Sequence, residues 1–154
     1  MDLPSQPLVG ISVLYVEDDA DAREVMALVL EHLGAVVRPA GTADEALASF
    51  VANPPMVVLA DIAMPDHDGF WLLREVAGDE MPPVPFIAFT GLCGARDRDE
   101  VLAAGFVDYL LKPVENDVLV DVIRTAVGKA ADRPATRLIA ARSTVEGGEA
   151  RAGG

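Results

Sequence analysis

Cysteine is nearly absent from this sequence, which has one, Cys93, among its 154 residues. A single cysteine cannot form an intramolecular disulfide or a multi-cysteine metal site, and its scarcity is typical of a reducing compartment. No stretch reaches the roughly 18–20 apolar residues that cross a bilayer. The first ten residues have neither the basic segment nor the apolar core of a secretory signal. We therefore expect a soluble, cytoplasmic protein with no membrane partner.

Basic residues are also scarce. The chain has 12 Lys and Arg against 25 Asp and Glu, which gives a formal net charge of −13. A surface this acidic repels nucleic acid and anionic lipid, so direct nucleic-acid binding is not expected. Before Lys129 there is one lysine, Lys112, and every other basic residue there is arginine. Lys112 is either an accident of composition or the mark of a site that needs a compact ammonium group.

Short apolar segments alternate with segments of helical periodicity along most of the chain. The apolar segments predict five strands, at residues 11–16, 35–38, 56–60, 86–89 and 109–111. Helices are predicted at residues 20–33, 69–77, 95–104 and 117–127. A further helix is predicted to begin at a capping box formed by Thr42 and Glu45 and to end at about residue 51. Strands that are apolar throughout and separated by helices indicate a parallel sheet covered on both faces. The predicted fold class is therefore α/β, a doubly wound sheet with helices on both faces.

Three regions follow from this pattern. Residues 1–9 form an N-terminal arm, residues 10–127 the folded domain, and residues 128–154 a tail rich in Ala, Arg and Gly. The tail is predicted to be mostly disordered, although residues 136–145 could form a helix on a partner.

Polar residues follow four of the five predicted strands. In an open parallel sheet, ligands bind beyond the carboxyl ends of the strands, so these residues are candidates for one site. They are Glu17, Asp18 and Asp19 after the first strand, Asp61 after the third, Thr90 after the fourth and Lys112 after the fifth. Such residues often serve only to cap the next helix, which is a sufficient role for Asp19. Asp61 is too far from the next helix start for that role.

The chemistry of this group favours phosphoryl transfer. Carboxylates crowded together repel one another and need a cation, and an all-oxygen site with few protein ligands suits Mg²⁺. A carboxylate can attack phosphorus to form an acyl phosphate. Phosphoryl transfer mostly requires positioning and charge neutralisation, which Mg²⁺ and Lys112 would provide. The Thr90 hydroxyl could hydrogen-bond a phosphoryl oxygen.

Residues 10–127 resemble the CheY-like receiver domains of two-component response regulators. The matching segments are Val16 to Asp19, Leu59 to Gly69, Phe89 to Gly91, and Tyr109 to Pro113. The resemblance implies a flavodoxin-like, five-stranded sheet in the order 2-1-3-4-5. It also implies that Asp61 is the phospho-acceptor and that the Mg²⁺ ligands are Glu17, Asp18, Asp61 and the Ala63 backbone carbonyl. Thr90 and Lys112 would contact the phosphoryl group, and Thr90 and Tyr109 would form the switch. The Lys112–Pro113 peptide bond is expected to be cis.

The same resemblance implies how the protein works. A sensor histidine kinase or a histidine phosphotransfer protein would donate the phosphoryl group. The output surface would be formed by the fourth helix, the fifth strand and the fifth helix, at about residues 95–127. Phosphorylation would change this surface and so control a downstream protein, and the same face could instead form a homodimer. The chain would be a switch rather than an enzyme, with only self-directed phosphotransfer and slow self-dephosphorylation. A stand-alone receiver is favoured, and a receiver from a hybrid kinase stays open.

Three positions depart from the family pattern. Gly91 stands where the family usually has Ala, and the smaller residue could loosen the pocket. Ala63 and Leu92 occupy positions that tune loss of the phosphoryl group in the family, and neither side chain can orient an attacking water. A comparatively long-lived phosphorylated state is therefore expected.

Other functions fit the residues less well. A Mg²⁺-dependent aspartyl-phosphate phosphatase needs a second acid where this chain has Ala63. A flavin carrier needs a phosphate-binding loop after the first strand, where Glu17, Asp18 and Asp19 would repel phosphate. A receiver used only for docking would have no need of the complete acidic and basic set. Passive structural or solvated roles are favoured for four further residues, His32, His67, Trp71 and Cys93.

Overall fold

The computed structural model describes residues 5–77, 83–91 and 98–132. Strands and helices alternate throughout these ranges. The strands are β1 (Ser12–Val16), β2 (Val36–Ala40), β3 (Val57–Ala60), β4 (Phe86–Thr90) and β5 (Asp108–Leu111). The helices are α1 (Ala20–His32), α2 (Ala43–Ala52), α3 (Gly69–Val76), α4 (Arg98–Ala104) and α5 (Asn116–Asp132). In the described part of the chain, no helix has the length and apolar character needed to cross a membrane.

All strands run parallel in one sheet, in the order β2-β1-β3-β4-β5, which confirms the predicted doubly wound topology. Successive side chains of β1 alternate between two cores, because neighbouring residues of a strand point to opposite faces. Val13 and Tyr15 pack with buried residues of α1 and α5. Leu14 and Val16 pack with buried residues of α2, α3 and α4. The sheet therefore has α1 and α5 on one face and the other three helices on the opposite face.

Side-chain caps fix where α1 and α2 begin. Asp19 caps α1 by accepting a hydrogen bond from the Ala22 N–H at 2.9 Å, the capping role that the sequence allowed. Thr42 caps α2 in the same way through the Glu45 N–H at 3.0 Å. The Glu45 carboxylate accepts a hydrogen bond from the Gly41 N–H, not from the N–H of the capping residue Thr42. Each cap holds the loop between a strand and the following helix in a defined path.

The two ends of the domain differ from the prediction. Helix α5 continues to Asp132, so the prediction of a disordered tail from residue 128 is wrong for residues 128–132. Gly128 costs the helix about 1 kcal/mol relative to Ala, but Ala130 and Ala131 are strong helix formers that extend it. At the other end, Leu8 is fully buried and its N–H donates to the Leu33 carbonyl at 2.8 Å. The predicted arm is thus packed onto the domain at Leu8.

The other predicted strand and helix boundaries differ from the observed ones by one or two residues. The largest difference is at β2, which is predicted at residues 35–38 and spans Val36–Ala40. The predicted start of the fourth helix at residue 95 lies outside the described residues, as do Leu92, Cys93 and the possible helix at 136–145. 

Phe50 and Val51 provide a matched test of the core beneath α2. Phe50 is fully buried against β4, whereas its neighbour Val51 is 55 % exposed. Phe50→Ala should lower the free energy of unfolding by about 3–5 kcal/mol, because it removes buried apolar surface and leaves a cavity. Val51→Ala should change it by less than about 0.5 kcal/mol. Urea unfolding followed by circular dichroism measures both, and equal effects would contradict the assigned packing.

Candidate functional site

Three carboxylates meet at the carboxyl edge of the sheet. Glu17 and Asp18 directly follow β1, and Asp61 directly follows the adjacent β3. One oxygen atom from each of the three lies within 4.8 Å of the others. The sheet ladder sets this proximity, since the Asp61 N–H donates to the Val16 carbonyl at 3.0 Å. Glu17 and Asp61 are buried while Asp18 is exposed, so the cluster is open to solvent on the Asp18 side.

Lys112 supplies the positive charge at this edge. Its Nζ contacts the Glu17 Oε1 atom and lies 3.3 Å from the Asp61 Oδ2 atom. The same ammonium lies 5.1 Å from the centre of the Phe89 ring, whose face attracts a cation. Burial alone would lower the pKa of Lys112, but the hydrogen bond to Glu17 and the charges of both carboxylates outweigh burial and raise it. The lysine is therefore a fixed cation in the pocket.

The environment of Asp61 pulls its pKa in both directions. Burial raises the pKa, while the Ala63 N–H, which donates to Asp61 Oδ1 at 2.8 Å, and the Lys112 ammonium lower it. The net result is a raised pKa, so the ionised form of Asp61 is disfavoured relative to a solvated aspartate. An additional cation at this edge would relieve that cost.

The loop between β3 and α3 is held close beneath Asp61. A Cβ atom at Gly69 would lie 3.0 Å from the Asp61 carbonyl oxygen, so a larger residue would force this backbone and the start of α3 apart by a few tenths of an ångström. Asp68 caps α3 through the Trp71 N–H at 3.0 Å. Asp66 has a φ of 63°, a left-handed conformation that Asp and Asn tolerate better than most residues.

His67 ties this loop to two helices. Its ring stacks on Trp71 of α3 with 3.8 Å between ring centres, and its Nδ1 lies 3.2 Å from an Asp44 carboxylate oxygen on α2. These contacts support the predicted structural role of His67, and Trp71 packs against the core as expected.

The structure also places the remaining predicted residues. Thr90 is buried at the end of β4, and its carbonyl accepts from the Lys112 N–H at 2.9 Å. Tyr109 is half-buried and packs against the core shared by α2, α3 and α4. The Lys112–Pro113 peptide bond is cis, as expected. A Cβ at Gly91 would lie 3.7 Å from Lys112 Cδ, so the missing methyl group leaves the lysine stem uncovered without deforming the pocket.

Two residues at the site, Tyr15 and Arg23, are not predicted by the sequence analysis. Burial raises the pKa of Tyr15 far above its usual range, with the neighbouring Glu17 carboxylate acting in the same direction. The hydroxyl thus stays protonated and lies within 3.5 Å of Glu17 Oε1, to which it donates. The second residue is Arg23, which contacts the backbone beneath Glu17. A tyrosine hydroxyl near the end of an apolar strand could have indicated a role for Tyr15. The sequence around Arg23, in contrast, does not distinguish it from an ordinary exposed helix residue.

The arrangement combines three convergent oxygen ligands with one fixed ammonium, as phosphoryl chemistry requires. Comparison with known proteins identifies the family. The family model for the response regulator receiver domain matches residues 13–124. The chain belongs to this family. It is a receiver domain of the two-component signalling type, in the CheY-like fold that the sequence predicts.

Individual relatives support the assignment over most of the domain. An uncharacterised 14.6 kDa protein of Leptolyngbya boryana is 38 % identical over 122 residues, covering 77 % of this chain and 92 % of that protein. A probable transcriptional regulator of Guillardia theta, ycf27, is 38 % identical over 101 residues, or 66 % of this chain, but the match spans only 39 % of that regulator. The activated N-terminal receiver domain of Klebsiella pneumoniae RstA superposes with a TM-score of 0.68 at 28 % identity, covering 75 % of this chain and 97 % of that one.

The raised pKa of Asp61 predicts that its negative charge destabilises the receiver when no other cation is present. Asp61→Asn should therefore raise the free energy of unfolding in metal-free buffer, by about 1 kcal/mol, because a neutral side chain of the same shape removes the buried charge. Lys112 keeps its contact with Glu17 in this variant. Thermal unfolding in the presence of a chelator measures the effect, and Asp121→Asn on the exposed side of α5 is the control. A lower melting temperature for Asp61→Asn would contradict the assignment.

Proposed function

We propose that this receiver domain accepts a phosphoryl group on Asp61 from a sensor histidine kinase or a histidine phosphotransfer protein, and that it thereby controls a downstream protein. The observation that carries the proposal is the position of Asp61 beside both an acidic pair and an ammonium. Its carboxylate lies within 4.8 Å of oxygen atoms of Glu17 and Asp18, and the Lys112 Nζ lies 3.3 Å from Asp61 Oδ2.

The donor set fits Mg²⁺. Hard oxygen ligands from a few protein groups, with room for water, are what Mg²⁺ prefers. Glu17, Asp18 and Asp61 would hold the ion, together with the backbone carbonyl of Ala63. The exposure of Asp18 leaves the cluster accessible to solvent and to a phosphoryl group. When bound, Mg²⁺ supplies positive charge that neutralises the phosphoryl oxygens.

The residues of the chain divide the chemistry among them. An Asp61 carboxylate oxygen attacks phosphorus, so that an O–P bond forms while the P–N bond to the donor histidine breaks and its imidazole leaves. The Lys112 ammonium neutralises charge on the phosphoryl oxygens, and the Thr90 hydroxyl donates a hydrogen bond to one of them. No other substrate is required, so the chain acts as a switch and not as an enzyme on other molecules.

The output surface would be formed by α4, β5 and α5. Thr90 lies at the end of β4 beside Leu111 of β5, so a change at the site can pass to β5 directly. The Arg98 guanidinium lies 3.4 Å from Asp108, an exposed ion pair that links α4 to β5. A phosphoryl group that binds one arrangement of Thr90 and Tyr109 better than another would shift this surface between two states. An unidentified protein or a second copy of the chain would bind it.

The acidic surface restricts the cellular role of this switch. A net charge of −13 disfavours direct binding of this receiver to nucleic acid or to anionic membranes, so we expect its output surface to bind a protein.

Phosphorylation should be visible in the intact mass. Incubated with Mg²⁺ and acetyl phosphate, the wild-type chain should gain one phosphoryl group, and Asp61→Asn should gain none, because it lacks the attacking carboxylate. Asp66→Asn is the matched control, since it removes a nearby charge at a position with a φ of 63° that Asn adopts readily. A wild-type chain that gains no mass, in parallel with a receiver that does, would favour a docking module instead.

The phosphorylated state should be long-lived, because Ala63 has no polar group to orient an attacking water and its side chain is exposed beside Asp61. Ala63→Asn should shorten the lifetime several-fold by supplying such a group. Loss of the added mass over time, after removal of acetyl phosphate, measures both rates. A wild-type phosphoryl group that decays as fast as that of Ala63→Asn would refute this expectation.

A further inference from the structure

We propose that Arg23 of α1 is a positioning residue for the metal ligands Glu17 and Asp18, an inference that rests on the Mg²⁺ site proposed above. The Arg23 Nη1 atom donates to the Glu17 backbone carbonyl at 2.8 Å and lies 3.5 Å from the Asp18 carbonyl oxygen. The Arg23 backbone N–H donates to the Asp19 carbonyl at 2.9 Å. One residue therefore contacts three successive carbonyl groups of the loop that carries the acidic pair.

The loop needs this contact because the ladder with β3 ends at Val16, although the Glu17 N–H still donates to the Ala40 carbonyl at 3.0 Å. The Val16 carbonyl accepts from the Asp61 N–H and is the last β1 carbonyl bonded across to β3. Glu17 is 2 % exposed, so its carbonyl cannot rely on bulk water and requires a protein donor. The guanidinium provides that donor from within the next helix. Since the Asp18 side chain is exposed, the direction of its carboxylate depends on the backbone that Arg23 holds.

Gly41, directly after β2, leaves the space in which the guanidinium lies. A Cβ at Gly41 would lie 3.0 Å from Arg23 Nη1 and 3.3 Å from Cζ. The guanidinium therefore lies between Gly41 and the loop. An alanine at this position would displace the guanidinium by a few tenths of an ångström without removing any carboxylate of the site. The structure thus offers two separate ways to disturb the same contact.

A positioning role and a purely electrostatic role for Arg23 predict opposite changes in Mg²⁺ affinity when Arg23 is removed. If Arg23 acted only through its positive charge, its removal would strengthen Mg²⁺ binding, because a cation near the carboxylates competes with the ion. If Arg23 positions the ligands, its removal weakens binding, as the loss of groups that orient metal ligands typically does, by about 10–100-fold. If its role were only to stabilise the fold, the unfolding free energy would fall and the Mg²⁺ affinity would stay the same.

The experiment is titration of Mg²⁺ into the full chain by calorimetry, with urea unfolding of the metal-free protein alongside. Arg23→Gln should weaken Mg²⁺ binding by about tenfold or more. Arg23→Lys should recover part of the affinity, because its ammonium can reach a carbonyl but lacks the planar fork of donors. Gly41→Ala should weaken binding several-fold in the wild-type background and have little effect in Arg23→Gln, since neighbouring residues that share one contact are not additive.

Arg38→Gln is the matched control. Arg38 also donates from its guanidinium to backbone carbonyls, those of Ser49 and Asn53, but these belong to α2 and its C-terminal end. This variant removes the same charge and the same kind of bond, and it should leave Mg²⁺ affinity unchanged. If the wild-type chain binds no Mg²⁺, the proposed metal site falls and this inference with it. If wild type binds and Arg23→Gln binds equally or more tightly, the positioning role alone is overturned.

Discussion

The contact between the Lys112 ammonium and the carboxylates of Glu17 and Asp61 is the interaction on which the rest of the site depends. Two acidic side chains are buried side by side at the edge of the sheet, an arrangement that repels itself and costs solvation. Lys112 offsets part of this cost, and the Tyr15 hydroxyl and the Ala63 N–H add hydrogen bonds. The raised pKa of Asp61 indicates that the compensation is incomplete. An added cation at this edge would relieve that residual cost.

The loops around the site are fixed by close backbone approaches as much as by side-chain bonds. Gly69 lets α3 begin against the Asp61 carbonyl, and Gly41 makes room for the Arg23 guanidinium beside the loop between β1 and α1. His67, stacked on Trp71 and bonded to Asp44, joins the loop between β3 and α3 to α2 and α3. The loops that carry the acidic residues are therefore held from outside the pocket. Such support is what keeps ligand groups in place when the ligand is absent.

Much of the fold and the site could be predicted from the sequence. Strand β3 is apolar at every position and β4 at every position before Thr90, and the structure buries both strands on both faces. Glu17, Asp61 and Lys112 stand directly after predicted strands, so the rule that parallel strands end at one edge places them together. The end of α5 was missed, because Gly128 and the alanines after it resemble a tail in composition, although alanine also extends a helix.

The sequence by itself determined the chemistry at each strand end and the alternation of strands and helices. Both follow from residue type and local periodicity, which a chain carries in any conformation. Only the tertiary structure decided which groups touch. Lys112 meets Glu17 across 95 residues of sequence, and Arg23 of α1 lies against Gly41 beside β2. Such contacts depend on how separate elements pack, and no local pattern records them.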